Sequence, residues 1–268
     1  MKNLLPDLHA WRERLRQEPL AVFLDYDGTL SAIASTPSEA ALPHATRDLL
    51  KALVRLKDVK VAVISGRALA DIRKMVPVKG LSYVGSHGME FQSGKVVTRR
   101  IPERYWRELC LLKQALAVEL KGLPGAWLEQ KPFSLAIHYR KAAPASERKV
   151  KQVVRGLCGR RVRRGEVLIL SGKKVIEIMP PKAMDKGQAV KRLLRAWGKR
   201  KFLSIYIGDD RTDEAAFDVL CGCGLTVKVG ASRCRTKAAY RVNGVDEVRL
   251  LLEMILRFKS ARVNPGTH

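Results

Sequence analysis

Two aspartates lead the residues of this chain that have chemistry to offer. The segment Asp25-Tyr26-Asp27-Gly28-Thr29-Leu30 follows the apolar run Leu20 to Leu24. In extended chain, side chains at i and i+2 project the same way, so Asp25 and Asp27 can face one small site. Their repulsion there calls for a cation or a shared proton, and Gly28 lets the chain turn sharply. Ser65-Gly66-Arg67 follows a second apolar run, Val61 to Ile64. Its hydroxyl, its backbone N–H groups and the helix start behind it suit a phosphate oxygen. Arg67 has two readings, contact with phosphate or a tie between its loop and a carboxylate. Lys186, opening a helix after Asp185, can bring positive charge to the same anion. Gly208-Asp209-Asp210-Arg211-Thr212-Asp213-Glu214 places four acids within six positions. Together with Asp25 these oxygens match a hard divalent ion such as Mg²⁺.

Taken singly, an acidic turn that caps a strand, or a solvated lysine at a helix start, would look much the same. What joins the segments is that each sits at the end of an element that can bring it to the others. Leu20–Leu24 reads as a fully buried strand, preceded by a short amphipathic helix with Leu8, Trp11 and Leu15 on one stripe. Leu49, Leu50, Leu53 and Leu56 follow helical spacing, Val61–Ile64 is a second strand, 68–75 a helix and Leu81–Val84 a third strand. This β-α-β-α-β order predicts a parallel sheet with helices on its faces. The pattern resumes after about residue 182, with a helix from Lys186 to Trp197, a strand over 202–207, a helix over 212–220, a strand over 225–229 and a closing helix near 246–258. Between the halves the order changes to α-β-β-α-β-β, with helices near 103–120 and 145–157 and strands near 126–130, 134–140, 167–170 and 174–178. That order describes a separate α+β segment, bounded by polar turns at Gly94-Lys95 and Pro180-Pro181. The expected organisation is therefore a core over 1–100 and 181–268 with an inserted domain over 101–180.

With 268 residues, 46% of them hydrophobic, the chain can bury a substantial core. Its apolar runs fall far short of the ~20 residues a bilayer span needs, and Pro6, Asp7, His9 and Arg12 interrupt any secretory segment, so a cytoplasmic protein is expected. Five cysteines (Cys110, Cys158, Cys221, Cys223 and Cys234) lack paired zinc spacing; the close pair Cys221 and Cys223 reads as small side chains packed after a helix. The net charge of +25 attracts anions of any kind. Its densest run, Arg160-Arg161-x-Arg163-Arg164, has no interleaved aromatics and reads as a solvated turn, not as a nucleic-acid platform.

The ordered set Asp-x-Asp-Gly-Thr, Ser-Gly-Arg, Lys and Gly-Asp-Asp-x-Thr-Asp-Glu resembles the haloacid-dehalogenase superfamily of aspartyl-phosphate phosphotransferases. Within it, Gly85-Ser86-His87-Gly88 and Glu129-x-Lys131 followed by Leu135-Ala136-Ile137-His138-Tyr139-Arg140 are similar to the trehalose-6-phosphate phosphatases. The resemblance spans roughly residues 20–258. It implies an α/β fold, a Rossmann-like core with a parallel sheet, and an inserted α+β cap that closes over the carboxyl edge of the sheet.

The resemblance also implies roles. Asp25 is the nucleophile. Asp27 is the general acid and base, with its backbone carbonyl on the metal. Ser65, Gly66, Arg67 and Lys186 hold phosphate, and Asp25, Asp27 and Asp209 hold Mg²⁺. Asp210 and Asp213 support metal-bound water or Lys186, while Glu129, Lys131 and Glu177 contact the sugar; from alternation alone, those three read equally well as an ordinary surface salt-bridge set. His87 and His138 are read as structural or rim residues. The partner is a small sugar phosphate, without a membrane or a specific nucleic acid, and no oligomeric state is assigned. Two alternatives stay open here: a phosphatase of another sugar phosphate, such as sucrose 6-phosphate or a glycosyl-phosphoglycerate, and a basic nucleic-acid-binding protein on a relic phosphatase fold.

Overall fold

A computed structural model describes residues 2–33, 40–94, 96–99, 103–180, 185–198, 201–231 and 235–261. The chain divides into two compact units, Met1–Thr98 with Met184–His268, and Arg99–Ala183. In the first, short N-terminal elements β1 (Lys2–Asn3), α1 (Leu4–Asp7) and α2 (Arg12–Gln17) lead into β2 (Leu20–Leu24), α3 (His44–Arg55), β3 (Val59–Ile64), α4 (Leu69–Met75) and β4 (Ser82–Gly85). A hairpin of β5 (Glu90–Ser93) and β6 (Val96–Arg99) follows. The second unit holds α5 (Glu103–Leu120), β7 (Trp127–Gln130), β8 (Leu135–His138), α6 (Pro144–Arg163), β9 (Leu168–Gly172) and β10 (Val175–Met179). The chain then returns through α7 (Lys186–Ala196), β11 (Leu203–Gly208), α8 (Glu214–Leu220), β12 (Gly224–Val229), β13 (Tyr240–Val242) and α9 (Val245–Ser260).

Among the described residues, nine strands form one sheet in the order β1-β13-β12-β11-β2-β3-β4-β5-β6. It is parallel from β1 to β4 and antiparallel between β4 and β5. All five residues of β2 are buried because the strand lies between β11 and β3 with helices on both faces. Leu20, Val22 and Leu24 pack with side chains of α3, α4 and α9, while Ala21 and Phe23 pack with those of α7 and α8. Burial of each large apolar side chain in this strand contributes about 1.5–3 kcal/mol. The strand order reverses where β2 meets β11, and the carboxyl ends of strands at such a switch point form the crevice in which open α/β sheets bind ligands.

In the second unit, β7-β8-β10-β9 form an antiparallel sheet. Leu135, Ile137, Ile176 and Ile178 on one face pack with Leu109, Leu112 and Leu116 of α5 and Val150, Val154 and Cys158 of α6. Alternation leaves Glu129, Ala136 and Glu177 on the other face, where they sit in register across three strands.

The structure corrects several expectations. The N-terminal stripe is carried by a single 3₁₀ turn over Leu8–Trp11 followed by α2, not by one helix, although Leu8 and Leu15 are buried as expected. The Gly94 turn lies inside the β5–β6 hairpin and the units divide after Thr98; Lys95, Pro181 and Cys234 lie outside the described residues. The arginine run forms the last turn of α6 and its C-cap, where cations complement exposed carbonyls, and Arg161 donates to Glu108 at 3.0 Å. Cys221 and Cys223 are exposed because the chain leaves α8 through a turn at Gly222.

Helix α7 approaches α8 very closely: a Cβ on Gly187 would stand 2.3 Å from the carbonyl oxygen of Ala215. Gly187→Ala is expected to cost about 1–3 kcal/mol, the range for overpacking, read from the midpoint of denaturant unfolding. An unchanged midpoint would show that α7 yields freely.

Candidate active site

Four strand and helix ends assemble the site in the first unit. Parallel pairing sets Leu24 beside Ile207 on one side and Val63 on the other. The exits of β2, β3 and β11 therefore deliver Asp25, Ser65 and Asp209 to one edge of the sheet. The Asp25 N–H donates to the Ile207 carbonyl at 3.0 Å, after which the chain turns, with the Leu30 and Ser31 N–H groups donating to the Tyr26 carbonyl. Gly28 sits in that turn at φ +82°, and a Cβ there would lie 2.2 Å from Asp209 Oδ2, so glycine is required on both counts.

Lys186 begins α7, with Asp185 as N-cap accepting from the Gln188 N–H at 2.7 Å. Its Nζ donates to Asp25 Oδ1 and Asp213 Oδ1, both at 2.6 Å. All three side chains are buried, at 3%, 5% and 0% exposure for Lys186, Asp25 and Asp213. Asp213 is itself held by the Tyr206 hydroxyl at 2.7 Å and by the Asp210 N–H at 2.8 Å, while the Asp210 side chain accepts from the Asp213 N–H in return. Lys228 donates to the Asp209 carbonyl at 2.6 Å and fixes that loop from the neighbouring strand.

Carboxylate oxygens of Asp25, Asp209 and Asp213 lie within 4.8 Å of one another. Burial, then the charges of Asp213 and Asp209, hold the Asp25 carboxyl well above the ordinary range, against the pull of Lys186. Burial and the neighbouring Asp213 and Asp210 push Asp209 up to about 6. Burial pulls the Lys186 ammonium down, but Asp213 and Asp25 outweigh it and hold the group above its ordinary value. Asp209 Oδ1 is buried with no hydrogen-bond partner. An unpartnered carboxylate oxygen beside two more carboxylates is the donor set a hard cation takes, so the residues present fit a divalent metal.

The expected site residues fall into groups. Asp25, Ser65, Lys186, Asp209, Asp210 and Asp213 stand at neighbouring element ends as anticipated. Asp27 is outside the carboxylate cluster: Arg67 forks onto it, Nε to Oδ2 at 2.7 Å and Nη2 to Oδ1 at 2.5 Å. Of the two readings of Arg67, the tie to a carboxylate is the one the structure displays. The repulsion expected between Asp25 and Asp27 is thus met by two separate cations of the chain, and Asp213 takes the third place among the clustered carboxylates. Ser65 Oγ is buried and accepts from the Arg67 N–H at 3.1 Å, with Gly66 between them.

In the second unit, Glu177 is buried and accepts from Ser134 Oγ and, at 3.2 Å, from Lys131 Nζ. Glu129 meets His138 Nε2 at 2.7 Å, and this bond, against partial burial, holds the Glu129 carboxyl below its ordinary range. His138 stacks on Trp127 with centroids 4.8 Å apart. Tyr206, Ser134, Lys228 and Trp127 escaped sequence reasoning. Tyr206 had one available signal, a hydroxyl in an otherwise apolar strand three residues before Asp209. The side chain of His87 lies outside what is described.

Removing one partner from a buried ion pair costs about 3–5 kcal/mol. Asp213→Ala should therefore lower unfolding stability by that amount, whereas Asp210→Ala, which removes one cap, should cost about 1 kcal/mol. Equal losses in denaturant titrations would remove Asp213 from its central place.

Among the described residues, no helix is long and apolar enough to cross a membrane. The trehalose-phosphatase family model matches residues 23–246. The chain is 31% identical over 259 residues to trehalose-phosphate phosphatase B of Arabidopsis thaliana, covering 91% of this chain and 68% of that one. It is likewise 31% identical over 253 residues to a probable trehalose-phosphate phosphatase C of the same plant, covering 90% and 78%. The C-terminal domain of the C. albicans trehalose-6-phosphate phosphatase superposes with a TM-score of 0.80 at 23% identity, covering 96% of this chain and 98% of that one, and shares its fold. With the match running from within β2 to the start of α9 across both units, the chain belongs to the trehalose-phosphatase family and is a phosphatase, with a fold shared by a haloacid dehalogenase-like hydrolase from Bacteroides thetaiotaomicron (TM-score 0.66 at 17% identity, covering 88% of this chain and 99% of that one).

Proposed function

We propose that this chain hydrolyses trehalose 6-phosphate to trehalose and phosphate, in the cytoplasm, through a phosphoryl group carried on Asp25. The observation that carries the reading is the buried Asp25–Lys186–Asp213 array beside the unpartnered oxygen of Asp209. Nothing about packing calls for such a set, because hydrophobic residues of similar volume would be as stable or more so.

Asp25 attacks phosphorus, so a carboxylate O–P bond forms and the bond from phosphorus to the sugar oxygen breaks. Asp27 gives its proton to the departing sugar oxygen. It then takes a proton from the water that attacks the acyl phosphate, freeing Asp25 and inorganic phosphate. Lys186, the Ser65 hydroxyl and the N–H groups around Gly66 hold the phosphoryl oxygens. The carboxylates of Asp25 and Asp209 and the backbone carbonyl of Asp27 would hold Mg²⁺. When bound, it offsets the repulsion between carboxylate and phosphate, about 4 kcal/mol per charge pair at 4 Å in a partly dry site.

For the sugar, we assign Glu129, Lys131 and Glu177 on the polar face of the antiparallel sheet. Glu129 and Glu177 share a register row, which supports a joint role, and Ser134 and Lys131 already fix the Glu177 carboxylate. Four free cysteines among the described residues suit a reducing compartment.

The test is phosphate release from trehalose 6-phosphate, sucrose 6-phosphate, glucose 6-phosphate and an aryl phosphate, each with Mg²⁺ and with EDTA. Chelator-sensitive release favouring trehalose 6-phosphate is expected, and a preference for another member would overturn the substrate. Asp25→Asn should abolish turnover on every ester, and residual activity near that of the unmutated protein would remove Asp25 as nucleophile. Glu129→Ala and Glu177→Gln should lower kcat/KM for trehalose 6-phosphate by about 10- to 100-fold, the worth of a hydrogen bond to a charged group, with little change on the aryl ester. Equal loss on both would make these residues structural.

A further inference from the structure

One buried acid of the first unit has no part in the chemistry above. Glu90 opens β5, is 2% exposed, and sits in register opposite Gly85 at the end of β4. Its Oε2 accepts from the Leu69 N–H at 2.8 Å and from the Ser86 hydroxyl at 2.9 Å. Leu69 is the first residue of α4, and Ser86 is one of two non-glycine residues with positive φ among those described, at +48°. That backbone is uncommon for serine and persists where its surroundings hold it. Here the Ser86 N–H donates to the Arg67 carbonyl at 2.7 Å while its hydroxyl is gripped by Glu90. Gly85 removes the last obstacle to this approach, since a Cβ there would stand 2.5 Å from the Leu69 nitrogen and 3.0 Å from the Arg67 oxygen.

The Glu90 carboxylate therefore holds one short loop at two points. Through Leu69 it fixes where α4 starts, and through Ser86 it fixes the carbonyl of Arg67. The loop between β3 and α4 is pinned at its other end by the Ser65 N–H on the Val84 carbonyl at 2.9 Å, and internally by the Arg67 N–H on Ser65 Oγ. With its backbone fixed at these points, the loop delivers the Arg67 fork to Asp27. A forked guanidinium holds the Asp27 side chain in one orientation, and water attack on the acyl phosphate depends on that orientation.

We propose that Glu90 is a positioning residue for Asp27, acting through the 65–69 loop, and that its main effect is on hydrolysis of the phosphorylated Asp25. The proposal rests on the function proposed above. It goes beyond that reading in placing a determinant of the second half-reaction on the β4–β5 hairpin.

Glu90→Gln keeps the size of the side chain and removes its charge. An aryl phosphate has a leaving group that needs no proton, so phosphorylation of Asp25 should survive in this variant while water attack slows. The expected result is a burst of phenol equal to the enzyme concentration, followed by a steady rate lowered about 100-fold, the scale of general base catalysis. On the sugar ester both steps need Asp27, and no burst should appear. Ser86→Ala removes one donor to Oε2 and should show the same pattern more weakly, which keeps the test alive if Glu90→Gln folds poorly. A burst amplitude and steady rate that fall together, or kinetics identical to those of the unmutated protein, would overturn the proposal.

Absence of all turnover in the unmutated protein would count against the proposed function and not against the coupling. The ¹⁵N-detected exchange of the Arg67 Nε–H then decides. Faster exchange in Glu90→Gln supports the coupling, and unchanged protection overturns it.

Discussion

A single ammonium group buried between two carboxylates organises this site. Lys186 brings a positive charge into a region where water is excluded, and Asp25 and Asp213 meet it at hydrogen-bond distance. Such an array is costly to desolvate and is retained only when its geometry is closely matched. Much of the surrounding structure serves that match. Asp185 sets the first residue of α7, Gly187 lets α7 touch the chain at Ala215, Tyr206 supplies a hydroxyl from the middle of the sheet, and Asp210 fixes Asp213 through a reciprocal cap. In the proposed reaction, with Asp213 spent on holding Lys186, the oxygens of Asp25 and Asp209 are left for phosphorus and metal.

In the function proposed above, each unit has its own chemical task. The parallel sheet delivers charged and hydroxyl groups from strand exits, where backbone N–H groups and helix starts also collect, and this suits an anion. The antiparallel sheet presents a flat polar row with Trp127 and His138 stacked beside it. Carboxylates with fixed hydrogen-bond partners next to an aromatic ring make a surface for hydroxyl-rich ligands. The net charge of +25 adds an attractive field for a doubly charged substrate whatever its sugar.

Much of this was legible in the sequence because buried parallel strands read as apolar runs and end abruptly in polar motifs. Asp25, Ser65 and Asp209 each follow such a run, and their convergence required only the order of the strands. The i, i+2 spacing of Asp25 and Asp27 did not carry Asp27 into the carboxylate cluster, for a physical reason. The chain stops being extended after Asp25, turns through Gly28 at positive φ, and sends the Asp27 carboxylate to Arg67. Strand alternation held for Glu177, which stays within a regular strand on the face away from Ile176 and Ile178. Short elements without an apolar run, β1, β5, β6 and β13, left no periodic signal. Glu90 lies on one of them, which hid its grip on the 65–69 loop. Burial of Glu177 was hidden too, since alternation shows the face of a side chain but not that Ser134 and Lys131 enclose its carboxylate.

The central claim is that Asp25 carries the phosphoryl group. The most direct test is to quench the protein during turnover of trehalose 6-phosphate with Mg²⁺, reduce it with borohydride, and map the peptides by mass. An acyl phosphate is reduced to the alcohol of the same carbon skeleton, so the account predicts a homoserine mass at position 25 and at no other acidic position. Reduction elsewhere, or a protein turning over substrate with position 25 unmodified, would contradict it.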